Sequence, residues 1–477
     1  MRKANIFFIL FNVFLLTFLF VLPAFSQQRW ERTYGGAGTE IGYSVQQTSD
    51  GGYVVVGYRG GPSPNEDVVY LIKTNAVGDT LWTRTYEGRR RDGAWGWSVR
   101  QTTDGGYIIA GYSGPHLVGL GHVYLIKINA TGDTLWTRTY GGAWEEGHAV
   151  QQTLDGGYII AGWTNTWGSG VGDDVYLIRT NGAGDTLWTR TYGGANNDEG
   201  WSVQQTSDTG YIISGVTKSF SDTMGDVYLI KTNVRGDTLW TRTYGGARYD
   251  CGLSVGQTSD GGYIIAGYTN SFGVGGYDFY LIKTNGTGDT LWTRTFGGTR
   301  DDCGWSAQQT SDGGYVIAGW TNSFTDTVGD VYLIKTDASG DTLWTRTYGG
   351  TSNDWSYSVQ QTSDGGYIVA GGTGSFGAGG ADVYLIKTDG NGNVGVEEKP
   401  EGSGQKAVSR IKITPNPFNS FAMVPGQEKQ TFELYDIAGR KVGAYRGDRI
   451  GANLPAGVYF LITSGKNPTP VRIVKVR

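Results

Sequence analysis

Residues 201–244 read WSVQQTSDTGYIISGVTKSFSDTMGDVYLIKTNVRGDTLWTRTY, and this stretch decides the fold of the chain. Four segments rich in Val, Ile, Tyr, Trp and Thr (201–206, 210–216, 226–232 and 238–244) are separated by turns that carry Gly and Asp. Such segments are typical of short β-strands joined by tight hairpins. The second and third are apolar on both faces, which indicates a sheet covered on both sides.

The last segment belongs to the motif Trp-x-Arg-Thr-Tyr/Phe, which recurs along the chain. Its copies begin at Trp30, Trp82, Trp136, Trp188, Trp240, Trp292 and Trp344. The intervals are 52, 54, 52, 52, 52 and 52 residues. Seven units of four strands at this period predict an all-β fold, a seven-bladed β-propeller over residues 30–390. An open solenoid of the same units is the alternative.

The two ends of the array predict how the ring closes. The motif at Trp30 has no strands before it, and the last unit has Asn393-Val394-Gly395 where its fourth strand would begin. We therefore expect the N-terminal strand to complete the last blade, because closure removes the exposed edges of an open array.

The overall composition excludes several classes of protein. The 80 glycines of the 477 residues show no Gly-X-Y period, and an aromatic content of 13% is too high for a disordered chain. A net charge of −5 argues against a nucleic-acid partner. We expect a monomer.

The N-terminus predicts export. Arg2 and Lys3 precede an apolar run over residues 6–22, and Ala24 and Ser26 are the small residues of a cleavage site. This pattern predicts a signal peptide over residues 1–26, cut between Ser26 and Gln27. An uncleaved membrane anchor is the alternative.

The repeats resemble those of secreted bacterial propellers found beside C-terminal sorting domains. The segment 129–136 (NATGDTLW) is also similar to the Trp-docking turn of quinoprotein-type propellers. The resemblance implies a fold and no particular cofactor, because propellers carry unrelated activities.

The tail has a composition of its own. Residues 391–409 are rich in Gly, Glu, Lys, Pro and Ser and predict a linker, and residues 410–477 predict a small Ig-like β-sandwich. The motifs PNPF (415–418), LYDIAGRK (434–441) and LPAGVYFL (454–461) resemble the type A sorting domain of the type IX secretion system. The resemblance implies the secretion machinery as a partner at the outer membrane, followed by release or attachment to the cell surface. A plain structural Ig-like module is the alternative.

Acidic residues recur on the face of the predicted propeller that carries loops of variable length. The candidate ligand-binding residues on this face are Glu40, Asp92, Glu145, Asp198, Asp250, Asp301 and Asp354. A second series opens the third strands, at Asp67, Asp174, Asp226, Asp278, Asp330 and Asp382. Carboxylates that converge near the axis could hold Ca²⁺ or favour a cationic partner. Alternatively, each carboxylate caps the backbone of its own turn.

Aromatic residues lie in the same loops, at Trp167, Phe220, Phe272, Phe324 and Phe376. They could form a rim for a sugar or a peptide, with Trp167 as the candidate contact, or pack each loop onto its blade. Cys251 and Cys303 occupy equivalent positions in adjacent units and form a candidate disulfide, with two free thiols as the alternative.

The function predicted from these patterns is a non-catalytic binding or adhesion propeller, exported to the cell surface, for an unknown glycan or protein ligand. A secreted glycan-acting hydrolase or lyase and a purely structural surface protein are the alternatives. An enzyme should break the symmetry of the blades with buried acids or a His–acid pair. The chain departs most from its own consensus at residues 89–91, at His116 and at residues 144–148.

Overall fold

The computed structural model divides the chain into two compact units, residues 1–397 and 398–477. In the first it describes residues 29–395 apart from 62–65, 89–92, 116–120, 169–171, 222–223 and 326–327. In the second it describes residues 422–423, 431–436, 440–446, 449–450, 454–455, 457–463 and 471–475. The predicted signal peptide, with Ser26 and Gln27, lies outside these ranges.

Seven four-stranded antiparallel sheets form the first unit, and this confirms the seven-bladed propeller. The first three blades are β2 (Glu40–Gln47), β3 (Tyr53–Arg59), β4 (Val68–Thr74), β5 (Thr80–Tyr86); β6 (Ala94–Gln101), β7 (Tyr107–Ser113), β8 (His122–Ile128), β9 (Thr134–Tyr140); and β10 (Glu145–Gln152), β11 (Tyr158–Thr164), β12 (Asp174–Thr180), β13 (Thr186–Tyr192). The next three are β14 (Asp198–Gln205), β15 (Tyr211–Thr217), β16 (Asp226–Thr232), β17 (Thr238–Tyr244); β18 (Asp250–Gln257), β19 (Tyr263–Thr269), β20 (Asp278–Thr284), β21 (Thr290–Phe296); and β22 (Asp302–Gln309), β23 (Tyr315–Thr321), β24 (Asp330–Thr336), β25 (Thr342–Tyr348).

The seventh blade is composite, as the ends of the array predict. It consists of β26 (Asp354–Gln361), β27 (Tyr367–Thr373), β28 (Asp382–Thr388) and the N-terminal strand β1 (Trp30–Tyr34). Strand β1 pairs antiparallel with β28, with Trp30 opposite Lys387 and Tyr34 opposite Val383. The predicted closure of the ring is therefore confirmed.

The repeated motif joins each blade to the next. The Trp82 indole packs on Gly132 of the following blade, where an added Cβ would lie 3.1 Å from the ring. Gly132 has a φ of 85°, which a residue with a Cβ rarely adopts. The Arg84 guanidinium lies 5.6 Å from the Trp82 ring, and the Tyr86 hydroxyl donates a 2.8 Å hydrogen bond to the Gly132 carbonyl. The Trp, Arg and Tyr of the motif thus all take part in the contact between neighbouring blades.

The array continues a few residues beyond the predicted boundary at 390. The Asp389 amide donates to the Asn393 carbonyl at 3.0 Å, and Gly392 packs on the Trp344 indole as the turn glycines of other blades do. Residues 391–393 therefore form a blade turn, and residues 396–409 of the predicted linker lie outside the described residues.

The second unit contains a four-stranded antiparallel sheet and a two-stranded pair. Its strands are β29 (Ala422–Met423), β30 (Thr431–Asp436), β31 (Lys441–Arg446), β32 (Arg449–Ile450), β33 (Gly457–Thr463) and β34 (Val471–Lys475). The larger sheet has the order β31-β30-β33-β34, and its Phe432, Leu434 and Leu461 are fully buried. Within the described part of the chain, no helix has the length and apolar character that a membrane crossing requires.

Candidate functional site at the propeller axis

A β-bulge in every innermost strand directs one side chain to the axis. In β2, for example, the pairing with β3 shifts between Gly42 and Ser44, so that Tyr43 is the unpaired residue. Bulges commonly redirect a side chain in this way. The bulged residues form what we call the axial ring: Tyr43, Trp97, His148, Trp201, Leu253, Trp305 and Tyr357.

The axial ring is a nearly continuous band of aromatic contacts. The ring centroids of Tyr43 and Trp97 lie 4.3 Å apart, and those of Trp305 and Tyr357 lie 4.8 Å apart. The ring encloses a cavity of about 90 Å³. Each innermost strand runs from the face with the variable loops, the loop face, to the face with the tight hairpins, the hairpin face. The axial ring lies between the two ends of these strands and separates the two faces. Trp or Tyr recurs at the bulge position in the sequence, but a bulge is defined by its pairing partner, so the sequence alone does not show that these side chains meet at the axis.

Blade 3 breaks the symmetry of this ring with a histidine and an acid. His148 lies between two indoles, with its ring centroid 5.1 Å from that of Trp97 and 4.1 Å from that of Trp201. Its Nε2 is 3.5 Å from a carboxyl oxygen of Glu146, on the loop-face side of the ring. Burial lowers the pKa of His148 to about 3, so the imidazole is neutral at physiological pH. The region 144–148, which the sequence marks as atypical, thus places an imidazole beside a carboxyl, with no hydrogen bond from Nε2 to any described residue.

On the loop-face side of the axial ring, at what we call the loop-face mouth, Glu146 is a carboxyl with a strongly raised pKa. Burial, followed by the nearby carboxylates of Glu199 and Asp173, raises the pKa of Glu146 to about 7. Burial, and then Asp173, also raises the pKa of Glu199. Trp144 hydrogen-bonds the Glu146 carboxyl and packs edge-on against Trp163, with centroids 5.6 Å apart. Two protonatable carboxyls therefore lie among exposed and half-exposed indoles, in one sector of the mouth.

The acids predicted to bind a ligand have mostly structural contacts. Glu40, Glu145, Asp198, Asp250 and Asp354 are almost completely buried. Asp250, for example, accepts a 2.9 Å bond from the Gly246 amide and a 2.6 Å bond from the Ser271 hydroxyl. These are the contacts of a carboxylate that caps its own loops, the alternative that the sequence left open.

Two members of that predicted series need separate comment. Asp301 is exposed and accepts a hydrogen bond from the Tyr277 amide at 3.0 Å, whereas Asp302 is the buried residue at the position equivalent to Asp250. The sequence has two adjacent aspartates there, and the register of β22 decides between them. Asp92 lies outside the described residues.

The two acidic series meet at the junctions between blades. At the position of Gly297, an added Cβ would lie 1.7 Å from Asp278 Oδ1 and 2.8 Å from Asp302 Oδ2. Asp278 Oδ1 is buried without a hydrogen-bond partner among the described residues. Burial, followed by the charge of Asp302, raises the pKa of Asp278 to about 6. Glycine is needed at this position because the two carboxylates fill the space of its side chain.

The same convergence recurs around the ring, with local exceptions. Further pairs flank Gly35 (Glu40 with Asp382), Gly193 (Asp174 with Asp198), Gly245 (Asp226 with Asp250) and Gly349 (Asp330 with Asp354). At the junction of blades 2 and 3 the partner of Glu145 is His122, whose Nδ1 lies 3.7 Å from the carboxylate. Among the described residues no group of three or more His, Cys, Asp or Glu side chains could hold a metal ion. Calcium stays a prediction.

The loop aromatics lie away from the axial ring. The Phe220 ring is 52% exposed, yet its centroid lies 5.6 Å from that of Tyr228 in its own blade. Phe272, Phe324 and Phe376 make the equivalent contact with Tyr280, Tyr332 and Tyr384. Trp167 is 57% exposed and lies over Gly142. These residues therefore pack their loops while leaving part of each ring accessible.

Both cysteines are free thiols, the second of the two alternatives that the sequence left open. Cys251 is buried beside Val216 and Leu253, and the hydroxyls of Tyr249 and Tyr268 hydrogen-bond its sulfur. Burial raises the pKa of both thiols. They are consequently protonated and poor nucleophiles at neutral pH.

Comparisons with known proteins identify no family for this chain, since no family model matches it. The regulatory protein FlaEY of Caulobacter vibrioides is 25% identical over 308 residues, which cover 52% of this chain and 30% of that protein. This chain therefore spans less than a third of that relative.

Similar solved structures include the quinohemoprotein alcohol dehydrogenase ADHIIG of Pseudomonas putida HK5, at 11% identity and a TM-score of 0.44, over 82% of this chain and 79% of that chain. The WD40 domain of Pan2 from Neurospora crassa matches at 9% identity and a TM-score of 0.44, over 76% of this chain and 95% of that chain. Similarities this low carry no argument about function.

Proposed function

We propose that this chain is an exported, non-catalytic propeller that binds a glycan at the loop-face mouth of its axis, for binding or adhesion at the cell surface. The observation that carries the proposal is the sector formed by Glu146, Glu199 and the indoles of Trp144 and Trp163. Aromatic faces bind the apolar faces of sugar rings, and carboxyls accept or donate hydrogen bonds to sugar hydroxyls. The buried acids beneath the loops add a negative potential to the same face.

The test is a glycan array with the full mature chain, followed by calorimetry on the best glycan. Glu146→Gln keeps the shape of the side chain and removes its titration, and Glu199→Gln does the same for its neighbour. We expect both variants to bind at least tenfold more weakly, whereas Glu87→Gln, an exposed acid elsewhere, should bind normally. Equal binding by all four proteins, or no response on the array, would refute the proposal.

Calcium dependence and the assembly state are tested on the same purified protein. We propose Ca²⁺ as the candidate cofactor, because Asp278 Oδ1 is a buried carboxylate oxygen with no hydrogen-bond partner in the part of the chain that the structure describes, and the Asp302 carboxylate lies close by. The array is therefore run with and without about 1 mM Ca²⁺. This concentration is close to the dissociation constants of extracellular calcium-binding modules. Light scattering should give the mass of a monomer, and we expect no binding to duplex DNA.

A glycan-acting hydrolase is the second candidate, and one observation favours it. A general acid needs a carboxyl that is protonated near neutral pH, and Glu146, with a pKa of about 7 beside a second carboxyl, meets that need. The test is to incubate the bound glycan with the protein and to look for new reducing ends. Turnover that disappears in Glu146→Gln would make the protein an enzyme, whereas intact glycan supports the binding role.

We also propose that residues 410–477 form an Ig-like domain that directs export through the type IX secretion machinery. The three motifs named above and the antiparallel sheet β31-β30-β33-β34 support this proposal. In a bacterium with that machinery, deletion of 410–477 should leave the propeller in the periplasm. A variant that lacks only residues 396–409 keeps the sheet and should still reach the cell surface or the medium. Export of both variants would refute the proposal.

A further inference from the structure

The hairpin face of the channel contains a second cavity, on the opposite side of the axial ring from the loop-face mouth. Its volume is about 410 Å³, within the range of small-molecule sites. Each blade contributes one residue of the innermost strand to a layer that we call the polar basin: Gln46, Arg100, Gln151, Gln204, Gly256, Gln308 and Gln360. Five of the seven positions are glutamine, and blades 2 and 5 are the exceptions.

The glutamines present hydrogen-bond donors to this cavity. Gln46 Oε1 accepts a 2.6 Å bond from the backbone amide of Gln101 in the next blade, and Gln360 Oε1 accepts a 2.7 Å bond from the amide of Gln47. Gln151, Gln204 and Gln308 make the same contact at 2.5–2.7 Å. Because a backbone N–H can only donate, the oxygen of each side-chain amide faces the strand. The Nε2 atoms of these glutamines are therefore available as hydrogen-bond donors to a ligand in the cavity that the glutamines line.

Arg100 adds the only charge among the residues that line the basin. Its guanidinium donates to the Val99 carbonyl at 2.8 Å and to the Ser44 hydroxyl at 3.3 Å, both of which are neutral. No carboxylate among the described residues forms an ion pair with it. Burial lowers the pKa of Arg100, and no neighbouring charge offsets that effect. Arg100 is only partly buried and lines the cavity, and both of these hydrogen bonds use Nη1. Its remaining N–H donors are therefore available to an anion in the cavity.

Blade 5 makes room opposite these donors. Gly256 has no side chain to extend into the cavity, and an added Cβ there would meet its nearest neighbours only at 3.7 Å and 3.9 Å. The wall of the cavity is therefore open at the position where glycine replaces the glutamine of five other blades. The basin combines a guanidinium that has no ion-pair partner among the described residues, five side-chain amides and a gap in its wall.

We infer that the polar basin is a binding site for a small oxyanion, a carboxylate, phosphate or sulfate group, held by the Arg100 guanidinium and the surrounding amide nitrogens. Arginine binds such groups through two parallel N–H donors, and the amides supply further donors around them. The site is independent of the glycan proposal, because the axial ring lies between the polar basin and the residues proposed to bind the glycan.

The repeat provides a matched variant for the test. Arg100→Gln places at this position the residue that five other blades already have, so the fold tolerates it. Arg235→Gln, in an exposed turn, removes the same charge far from the basin. The full mature chain and both variants are titrated with sodium acetate, phosphate and sulfate, against sodium chloride at matched ionic strength, by calorimetry and thermal melting.

At least one oxyanion should bind the wild type and Arg235→Gln and raise their melting temperatures relative to chloride, by about 2–4 °C near saturation. Arg100→Gln should bind it at least tenfold more weakly, and Arg100→Lys should fall between them. The anion that binds identifies the group: acetate a carboxylate, phosphate a phosphoryl group, sulfate a sulfated ligand. An equal response by Arg100→Gln and the wild type, or no response to any of the three anions, would overturn the inference.

Discussion

The hydroxyl of Tyr244 donates a 2.6 Å hydrogen bond to the backbone carbonyl of Gly288, across the boundary between two blades. The same bond recurs from Tyr34, Tyr86, Tyr140, Tyr192 and Tyr348. Phe296 is the exception, since the last residue of β21 has no hydroxyl to donate to Gly340. One of the seven junctions therefore lacks a contact that the other six have.

Replacing that phenylalanine should stabilise the propeller. Phe296→Tyr restores a bond whose acceptor is already in place, and we expect a gain of about 1 kcal/mol in the free energy of unfolding. The matched change, Tyr244→Phe, should cost about 1–2 kcal/mol, because it leaves a carbonyl unpaired. Urea unfolding of both variants measures the difference. If Phe296→Tyr lowers the urea midpoint, the junction between Phe296 and Gly340 cannot adopt the geometry of the other six junctions.

The pair Asp278–Asp302 predicts a dependence of stability on pH. The folded pKa of Asp278 is raised from 3.8 to about 6, so the folded state binds more protons than the unfolded state between these values. Stability should consequently fall as the pH rises from 4 to 6, and the loss should be complete above that. Asp278→Asn removes the titration and should flatten the difference between the unfolding midpoints at pH 4 and pH 7. A wild-type loss that Ca²⁺ reverses would indicate a cation between the two carboxylates.

The buried lysines of the third strands predict unequal costs for two equivalent substitutions. Lys283 and Lys387 are 4% and 1% exposed, and their partners Asp260 and Asp364 are 57% and 23% exposed. A better shielded pair loses more when one partner is removed. We expect Asp364→Asn to cost about 3 kcal/mol and Asp260→Asn about 1 kcal/mol. Equal costs in urea unfolding would contradict this assignment.

Acid should weaken the same pairs. Burial alone would raise the pKa of Asp260, but hydrogen bonds from Thr258 and Lys283 lower this pKa to about 2. The contribution of this carboxylate is therefore complete above pH 4 and is lost as the pH falls towards 2. The wild type should lose more stability over this range than Asp260→Asn, and the two are compared by their urea midpoints at pH 2.5 and pH 5.

Strand β1 predicts that the ring depends on its N-terminal residues. Trp30 is 4% exposed and packs on Gly78 of the first blade. Trp30→Ala should cost about 3–5 kcal/mol, as large buried aromatics do when truncated. Deletion of residues 27–35 also exposes the edge of β28 and should produce dimers or aggregates in light scattering.

The sequence was sufficient for the parts of the fold that local patterns determine. The period of the motif at Trp82 predicts the number of blades, and the missing fourth strand after Asp389 predicts the composite blade. These features follow from the spacing of the repeats and from the order of the strands along the chain. The turn at residues 129–136 is identified only through its resemblance to the Trp-docking turn of quinoprotein-type propellers.

The candidate sites could be predicted only in part, because they depend on relations between blades. The sequence marks 144–148 as atypical, but the pKa of Glu146 is raised by burial in the folded ring and then by Glu199, which lies 53 positions away in the chain. The choice between Asp301 and Asp302 depends on the register of β22. The isolated charge of Arg100 becomes visible only when the other six positions of its layer are compared.

The strand that completes blade 7 is the first segment of the propeller to be synthesised, and its partner β28 is the last. Until Asp382–Thr388 emerges, Trp30–Tyr34 has no edge to join, and the six finished blades form an arc with two open ends. The entropic cost of uniting such distant ends grows only slowly with length, by about 0.6 kcal/mol for each doubling. Folding of the ring should therefore finish as one late event, and a chain interrupted anywhere before β28 would keep both ends free to capture other strands.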